Sequence, residues 1–374
     1  MKKLIIVGII FCLFGLNGCG KTVSTSSTAE ATTEKAEDSE TAEASEKATE
    51  EIVDMAGRTV TIPNTIESVF GVNNNASIFL YTLAPELMIG WNSSLSEKSE
   101  KYIEPKAYNL PVLGSLYGNS EKVNLESIIA KEPDIIVFLQ ANMNEKIIQA
   151  ADELQDKLSI PVVMVDGDFE KYDEAYEFMG KILGCEEKAS VLSAYCKETY
   201  ELAADVKEKY ASDVPVTVYY GGGEDGLLTT AKGSSQSATI DMLGAFNVVD
   251  DKTINSENAT ISLEELISLN PNYIILGNSG FSSGDVSENL ASTEGWNTLT
   301  AVSEGKVYSI PKLPFNWFDK PPSVNRILGI HWMISVLYPD FEGEEIVSEC
   351  KEYFDLFYHV EIKDEQINKM IGKG

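Results

Sequence analysis

The stretch Val123-Asn-Leu-Glu-Ser-Ile-Ile-Ala-Lys-Glu-Pro-Asp-Ile-Ile-Val137 returns 138 residues later as Ile261-Ser-Leu-Glu-Glu-Leu-Ile-Ser-Leu-Asn-Pro-Asn-Tyr-Ile-Ile275, with Leu, Glu, Pro and the apolar run in register. Each copy reads as one unit. A helix N-cap residue, Asn124 or Ser262, opens a short helix, the helix stops before Pro133 or Pro271, and a buried strand follows. A chain that builds this unit twice is expected to form two similar α/β lobes. Ligands of such lobes sit in a cleft at the carboxyl ends of the strands. A chance double match of a common α/β linkage is the competing reading, and the glutamate held in register argues against it.

The amino terminus places this body outside the cytoplasm. Lys2 and Lys3 precede thirteen apolar or glycine residues, Leu4 to Leu16, too short a run to span a bilayer but suited to the core of a signal peptide. It ends in Leu16-Asn17-Gly18-Cys19, which resembles a lipoprotein signal whose cleavage leaves Cys19 lipidated (residues 1–19). Residues 20–50 are mostly Ser, Thr, Ala, Glu and Lys, with no aromatic residue and Val23 as the one large aliphatic, and read as a disordered acidic tether. The lobes follow, an N-terminal one over 52–168 and a C-terminal one over 212–374. Between them, 169–211 reads as almost wholly helical, with a break at Gly184 and a second helix from about Glu186 to Tyr210, roughly 37 Å long at helical rise.

Composition narrows the function. The net charge of −30, with arginine only at 58 and 326, argues against nucleic acid. Histidine occurs only at 331 and 359, which speaks against a site for a bare divalent metal. Cys185, Cys196 and Cys350 form an odd set without paired spacing and read as buried free thiols. Gly221-Gly222-Gly223 lacks the Gly-Lys-Ser/Thr that would make it a phosphate loop. No nucleophile–base pair or Gly-x-Ser-x-Gly elbow is visible, so neither catalysis nor a resident cofactor is expected. An adhesion or scaffold protein would need a protein-binding face in place of a cleft.

Several motifs in fixed order carry a family resemblance. They are Asp54-Met-Ala-Gly-Arg-Thr-Val-Thr-Ile-Pro63, Leu110-Pro-Val-Leu-Gly114, the two Leu-Glu…Pro segments, the long helix, and Glu304-Gly-Lys-Val-Tyr308. Together they resemble the solute-binding proteins of ATP-driven importers for ferric siderophores, haem and cobalamin. Gly90-Trp-Asn92 and Pro314-Phe-Asn-Trp-Phe-Asp-Lys-Pro-Pro-Ser-Val-Asn-Arg326 are similar to a narrower group of them. The resemblance implies an α/β fold of two Rossmann-like lobes with central sheets, joined by a single long α-helix. It further implies a lipid-anchored monomer on the outer face of the cell membrane, with permease and ATPase subunits as partners. The cargo would be a small-molecule metal chelate, a ferric siderophore first, with cobalamin, haem, and molybdate or tungstate as competitors.

Loops after strands nominate the cleft residues: Asn73, Asn74, Asn75, Trp91, Asn92, Tyr117, Gln140, Asn142, Tyr220, Ser234, Ser235, Asn278, Trp317 and Lys320. Their aromatic and neutral polar chemistry suits a wrapped chelate, or an oxyanion held by neutral donors at helix N-termini. Trp91 and Trp317 sit among polar residues and are expected as exposed rings. Asp319 and Arg326 are expected first to brace the Pro-rich loop as an ion pair, with Arg326 kept among the ligand candidates. His331 reads as structural, with haem ligation as its rival role. Glu126 and Glu264 lie in the first turns of the repeated helices, where the helix dipole alone would favour them. In the resembled class, one such glutamate per lobe meets arginines of the transmembrane subunits.

Overall fold

The apolar runs Ile135–Leu139 and Val162–Val165 are buried along their whole length, the pattern of strands covered on both faces. The computed structural model, which describes residues 48–118, 123, 125–212, 214–250, 258–279, 286–341 and 345–372, makes both of them parallel strands. In chain order the first lobe holds β1 (Thr49–Val53), β2 (Thr59–Pro63), β3 (Val69–Gly71), α1 (Asn74–Leu83), α2 (Pro105–Tyr108), α3 (Leu125–Ile129), β4 (Ile135–Gln140), α4 (Glu145–Leu158) and β5 (Val162–Asp166). Helices α5 (Tyr172–Leu183) and α6 (Glu186–Lys209) follow. The second lobe holds β6 (Thr217–Gly223), β7 (Leu228–Thr230), α7 (Ala238–Met242), β8 (Phe246–Asn247), β9 (Asn258–Thr260), α8 (Leu263–Leu269), β10 (Tyr273–Ser279), α9 (Val286–Ala291), α10 (Thr300–Ser303) and β11 (Val307–Ser309). The chain closes with α11 (Arg326–Leu337), α12 (Ile346–Tyr358) and α13 (Asp364–Met370).

The first sheet is parallel in the order β3-β4-β5, and the second runs β11-β10-β6-β7-β9 with β8 beside β6. The hairpin β1-β2 begins at Thr49, inside the stretch read as tether. Its turn is pinned to the lobe because Arg58 reaches Asp54 (3.1 Å), Asp152 (2.8 Å) and the Val162 carbonyl (3.0 Å), while Asp54 accepts from Met164 N. The signal segment, Cys19 and the tether as far as residue 47 lie outside the described residues, as does Asn124. Leu87 to Gly90 makes a single parallel bridge, Met88 to Val69.

The repeat is structural. Helices α3 and α8 each lead into an interior strand of a lobe's parallel sheet, β4 and β10. Ser262 caps α8 by accepting from Glu265 N at 3.1 Å. Glu132 and Asn270, one residue before each proline, both adopt the left-handed conformation, with φ of 46° and 38°. That conformation turns the chain out of the helix before the proline, whose ring forbids a helical predecessor.

Helix α6 has 24 residues, about 36 Å of rise, and starts after Gly184, whose φ of 66° ends α5 in the left-handed region. It is not the sole link between the lobes. Beyond β11 the segment 311–325 returns to the first lobe, where Ser99 Oγ donates to the Pro314 carbonyl (2.9 Å) and Trp91 meets Phe315 with ring centroids 5.8 Å apart. Helix α12 packs on α1, and Tyr81 donates its hydroxyl to the Tyr358 carbonyl at 2.7 Å. One hydrophobic core therefore contains Phe79 and Trp91 of the first lobe together with Trp317, Phe318 and Phe357 from beyond the second sheet. A separate core around Tyr219, Ile274 and Trp296 serves the second lobe alone.

Two consequences are measurable. Trp317 is fully buried, so Trp317→Ala should cost about 3 to 5 kcal/mol of unfolding free energy, read as a lowered denaturation midpoint. His359 ends α12 at φ 59°, with Nε2 3.2 Å from the Tyr81 carbonyl and 3.3 Å from Lys188 Nζ. Burial, seconded by the Lys188 charge, pushes its pKa down from 6.5 to about 4. The unfolded chain then binds the proton more readily than the folded one, so this contribution is complete above pH 6.5 and is lost as the pH falls toward 4. His359→Asn, which tolerates the left-handed backbone, should flatten the decline of Tm across that window.

Candidate functional site

The first lobe brings its strand ends together as expected of a parallel sheet. After β3, Asn73 caps α1 by accepting from Ala76 N at 3.0 Å, and Asn74 accepts from Ser93 Oγ at 2.9 Å. Asn75 beside them is half-buried. After β4 come Gln140, half-buried, and Asn142, exposed in the left-handed conformation. Tyr117 lays its half-buried ring on Phe138, centroids 4.9 Å apart. After β5 come Asp166, paired with Lys171 at 3.3 Å, and Phe169. In the second lobe β6 presents Tyr220 and the glycines, and β10 carries Asn278, whose side chain lies outside the described residues. Ser234 shares a hydrogen bond with Thr230, while Ser235 is exposed.

The Pro-rich segment is organised by its own amides. Asn316 Oδ1 accepts from the backbone N–H groups of Phe318 (2.7 Å) and Asp319 (3.1 Å), a local turn that asparagine favours. Asn325 Oδ1 accepts from the hydroxyls of Tyr353 and Tyr358. Trp317 presses its carbonyl against α11 so closely that a Cβ on Gly329 would lie 2.0 Å from the oxygen, which only glycine permits. The segment is thereby fixed from both ends, with Asp319, Lys320 and Arg326 held in register.

Arg326 and Asp319 do not pair. No ion pair within 4.0 Å joins them among the described residues, because each faces a different partner. Arg326 lays its guanidinium 4.2 Å above the Phe169 ring of the first lobe and donates Nη1 to the Ser235 carbonyl at 3.1 Å. It is 4 % exposed, and its Nε meets no acceptor. Asp319 accepts from the Tyr220 hydroxyl through Oδ2, leaving buried Oδ1 without a partner. Burial raises the Asp319 pKa above the usual carboxylate range against the opposing pull of the Tyr220 hydrogen bond, and burial lowers that of Lys312. The Tyr172 phenol beside Arg326 is raised by burial, with the guanidinium charge working against the shift. The hydroxyl of Ser115 is likewise buried and unpaired, and that of Tyr172, held against the Arg326 guanidinium, meets no acceptor.

Three nominated residues turn out to be structural. Trp91 is 3 % exposed and donates Nε1 to the Ala107 carbonyl at 2.8 Å, while Trp317 is fully buried and donates to the Leu313 carbonyl at 2.9 Å. Their polar neighbours in sequence turn outward and the rings turn in, so neither is an exposed stacking platform. Asn92, fully buried, ties together Ser77 and the carbonyls of Gly71 and Gly114. His331 bonds Thr199 of α6 at 3.0 Å and lies 3.9 Å from Glu349, a packing role between helices. Phe169 and Tyr172 escaped sequence reading, although the same strand-end rule applied after β5 points at Phe169. Lys320, exposed, remains at the rim.

Comparison with known proteins places this geometry. Residues 87–313 match the family model described as periplasmic binding protein. The molybdate-binding protein MolA of Haemophilus influenzae is 24% identical over 83% of this chain and 92% of its own. A vitamin B12-binding protein of Pectobacterium atrosepticum is 27% identical over 46% of this chain and 60% of its own. The solved ABC transporter solute binding protein of Sulfurospirillum deleyianum superposes with a TM-score of 0.76 at 28% identity, over 86% of this chain and 99% of that one. Two α/β lobes and a family match over more than half of the sequence make this chain a member of the periplasmic binding protein family, a substrate-binding protein of an ABC importer and not an enzyme.

Proposed function

We propose that the protein captures a metal-bearing anion outside the cell and hands it to its importer while tethered to the membrane through lipidated Cys19. Arg326 carries this reading. A guanidinium stays charged at any physiological pH, and burying it without a carboxylate is costly unless another anion completes the site. In a chain of net charge −30, Arg326 is a deeply buried cation that makes no ion pair among the described residues, and it lies on the Phe169 ring with Nη1 on the Ser235 carbonyl. The Tyr172 hydroxyl beside it is a neutral donor of the kind an oxyanion accepts from.

Molybdate or tungstate is therefore the first cargo. Burial of Trp91 and Trp317 removes the aromatic platform a large chelate would use, and the likeness to MolA extends over most of both chains. The ferric siderophore expected from sequence is the second reading, favoured by the half-buried Tyr117 ring at the end of the first sheet. Delivery follows the resemblance. Glu126 and Glu264, exposed in the first turns of α3 and α8, are proposed to meet basic side chains of the permease.

A thermal-shift series with molybdate, tungstate, ferric siderophores, haem and cobalamin tests the cargo. At a hundred times its dissociation constant, the cognate ligand adds about 2.7 kcal/mol to stability. Molybdate and tungstate should raise Tm, and Arg326→Gln should abolish the rise while leaving the ligand-free Tm unchanged or higher. A shift produced only by cobalamin or haem, or one fully retained in Arg326→Gln, overturns the anion reading.

A further inference from the structure

Large apolar side chains that stay in water are few among the described residues: Val53, Val112, Ile129, Val191, Val214 and Ile267. Two of them are the same residue of the repeat. Ile129 and Ile267 are separated by the 138 residues that separate the two copies, and they are 45% and 36% exposed. The match extends along both helices. Glu126 and Glu264 are exposed, Ile128 and Leu266 are buried, Ala130 and Ser268 are exposed, and Pro133 and Pro271 are buried. Since residues three apart share a helix face, Glu126 with Ile129 and Glu264 with Ile267 form two equal patches, each an acid beside an aliphatic side chain. No lysine or arginine among the described residues engages either glutamate. The fold gains nothing from leaving an isoleucine in water at that position twice.

We infer that Ile129 and Ile267 are the apolar anchors of the docking surface, seated in two matching sockets of a twofold permease, each socket apolar at its floor and basic at its rim. The occupant follows from the patch itself. A repeated patch is complementary to a repeated partner, and an acidic rim to a basic one, while the aliphatic centre supplies the desolvated contact on which interface energy concentrates. A second copy of this acidic chain would set carboxylate against carboxylate. The acids steer and orient; the isoleucines hold. This rests on the delivery reading of Glu126 and Glu264 and adds to it the residues that set the lifetime of the complex.

The test uses the full chain and its permease–ATPase complex in lipid nanodiscs, with affinity and dissociation rate read by interferometry. Ile129→Ser and Ile267→Ser should each weaken binding about tenfold, equal to about 1.4 kcal/mol, through faster dissociation, and the double variant about a hundredfold. Val214→Ser, 82% exposed and off the paired helices, should bind as wild type. The double variant Glu126→Ala, Glu264→Ala should instead slow association and lessen the dependence on salt. Molybdate-induced thermal shifts should be unchanged in all of these, which separates a failure of docking from a failure of the cargo reading. If the double isoleucine variant keeps its affinity within about twofold, the anchors are refuted. If it loses affinity while the glutamate double does not, the apolar assignment stands and the charge assignment falls. Equal loss with Val214→Ser means that any exposed aliphatic counts and the paired sockets do not exist.

Discussion

The packing of residues 311–325 into the first lobe is the contact on which the rest of the structure depends. A connection through α6 alone would leave the two sheets as independent bodies on one rod. Instead Trp317 and Phe318 enter the same core as Phe79 and Trp91, and α12 covers α1. Burial at roughly 25 cal/mol per Å2 of apolar surface acts here across the lobe boundary, so separating the lobes would expose interior and not merely bend a linker. The polar consequences follow from this apolar one. Asp319 and Arg326 are buried because the core residues beside them, Trp317 and Phe318 before the one and Val324 and Ile327 around the other, are buried, and each is left with an unsatisfied atom.

That arrangement explains why burial dominates the local electrostatics. Asp319 is shifted toward its neutral form and Lys312 toward its own, both by desolvation, although they are oppositely charged and close enough to feel each other. The Arg326 guanidinium is held in the same buried region without an ion pair among the described residues, which is the basis of the anion reading proposed above. The same region disfavours a bare cation, whose charge would meet Arg326.

Much of this was legible in the sequence. The repeat implied both lobes and the buried strand that follows each copy because its signals are local: a cap, a proline and an apolar run act over a dozen residues. Helix α6 was legible because twenty-odd residues without proline or glycine have few other options. What escaped is non-local. The loop composition around Trp91 and Trp317 is polar, and a window of neighbours cannot reveal that each ring turns inward onto a surface contributed from far along the chain. The expected Asp319–Arg326 pair failed for the same reason, since opposite charges seven residues apart pair only if nothing better is near, and Tyr220 and Phe169 were. Phe169 itself was missed because a phenylalanine ahead of a helix reads as core.

The closeness of Gly329 to the Trp317 carbonyl has a bearing on how such a protein changes its diet over evolutionary time. With 2.0 Å between that oxygen and the place of a missing methyl group, the floor of the cleft is locked to a helix and cannot drift. Variation is tolerable only at the margin, where Asn142, Ser235 and Lys320 face water. A lineage built on this scaffold would therefore diversify by repainting the entrance while the inner wall stays as it is, differing in the size and shape admitted.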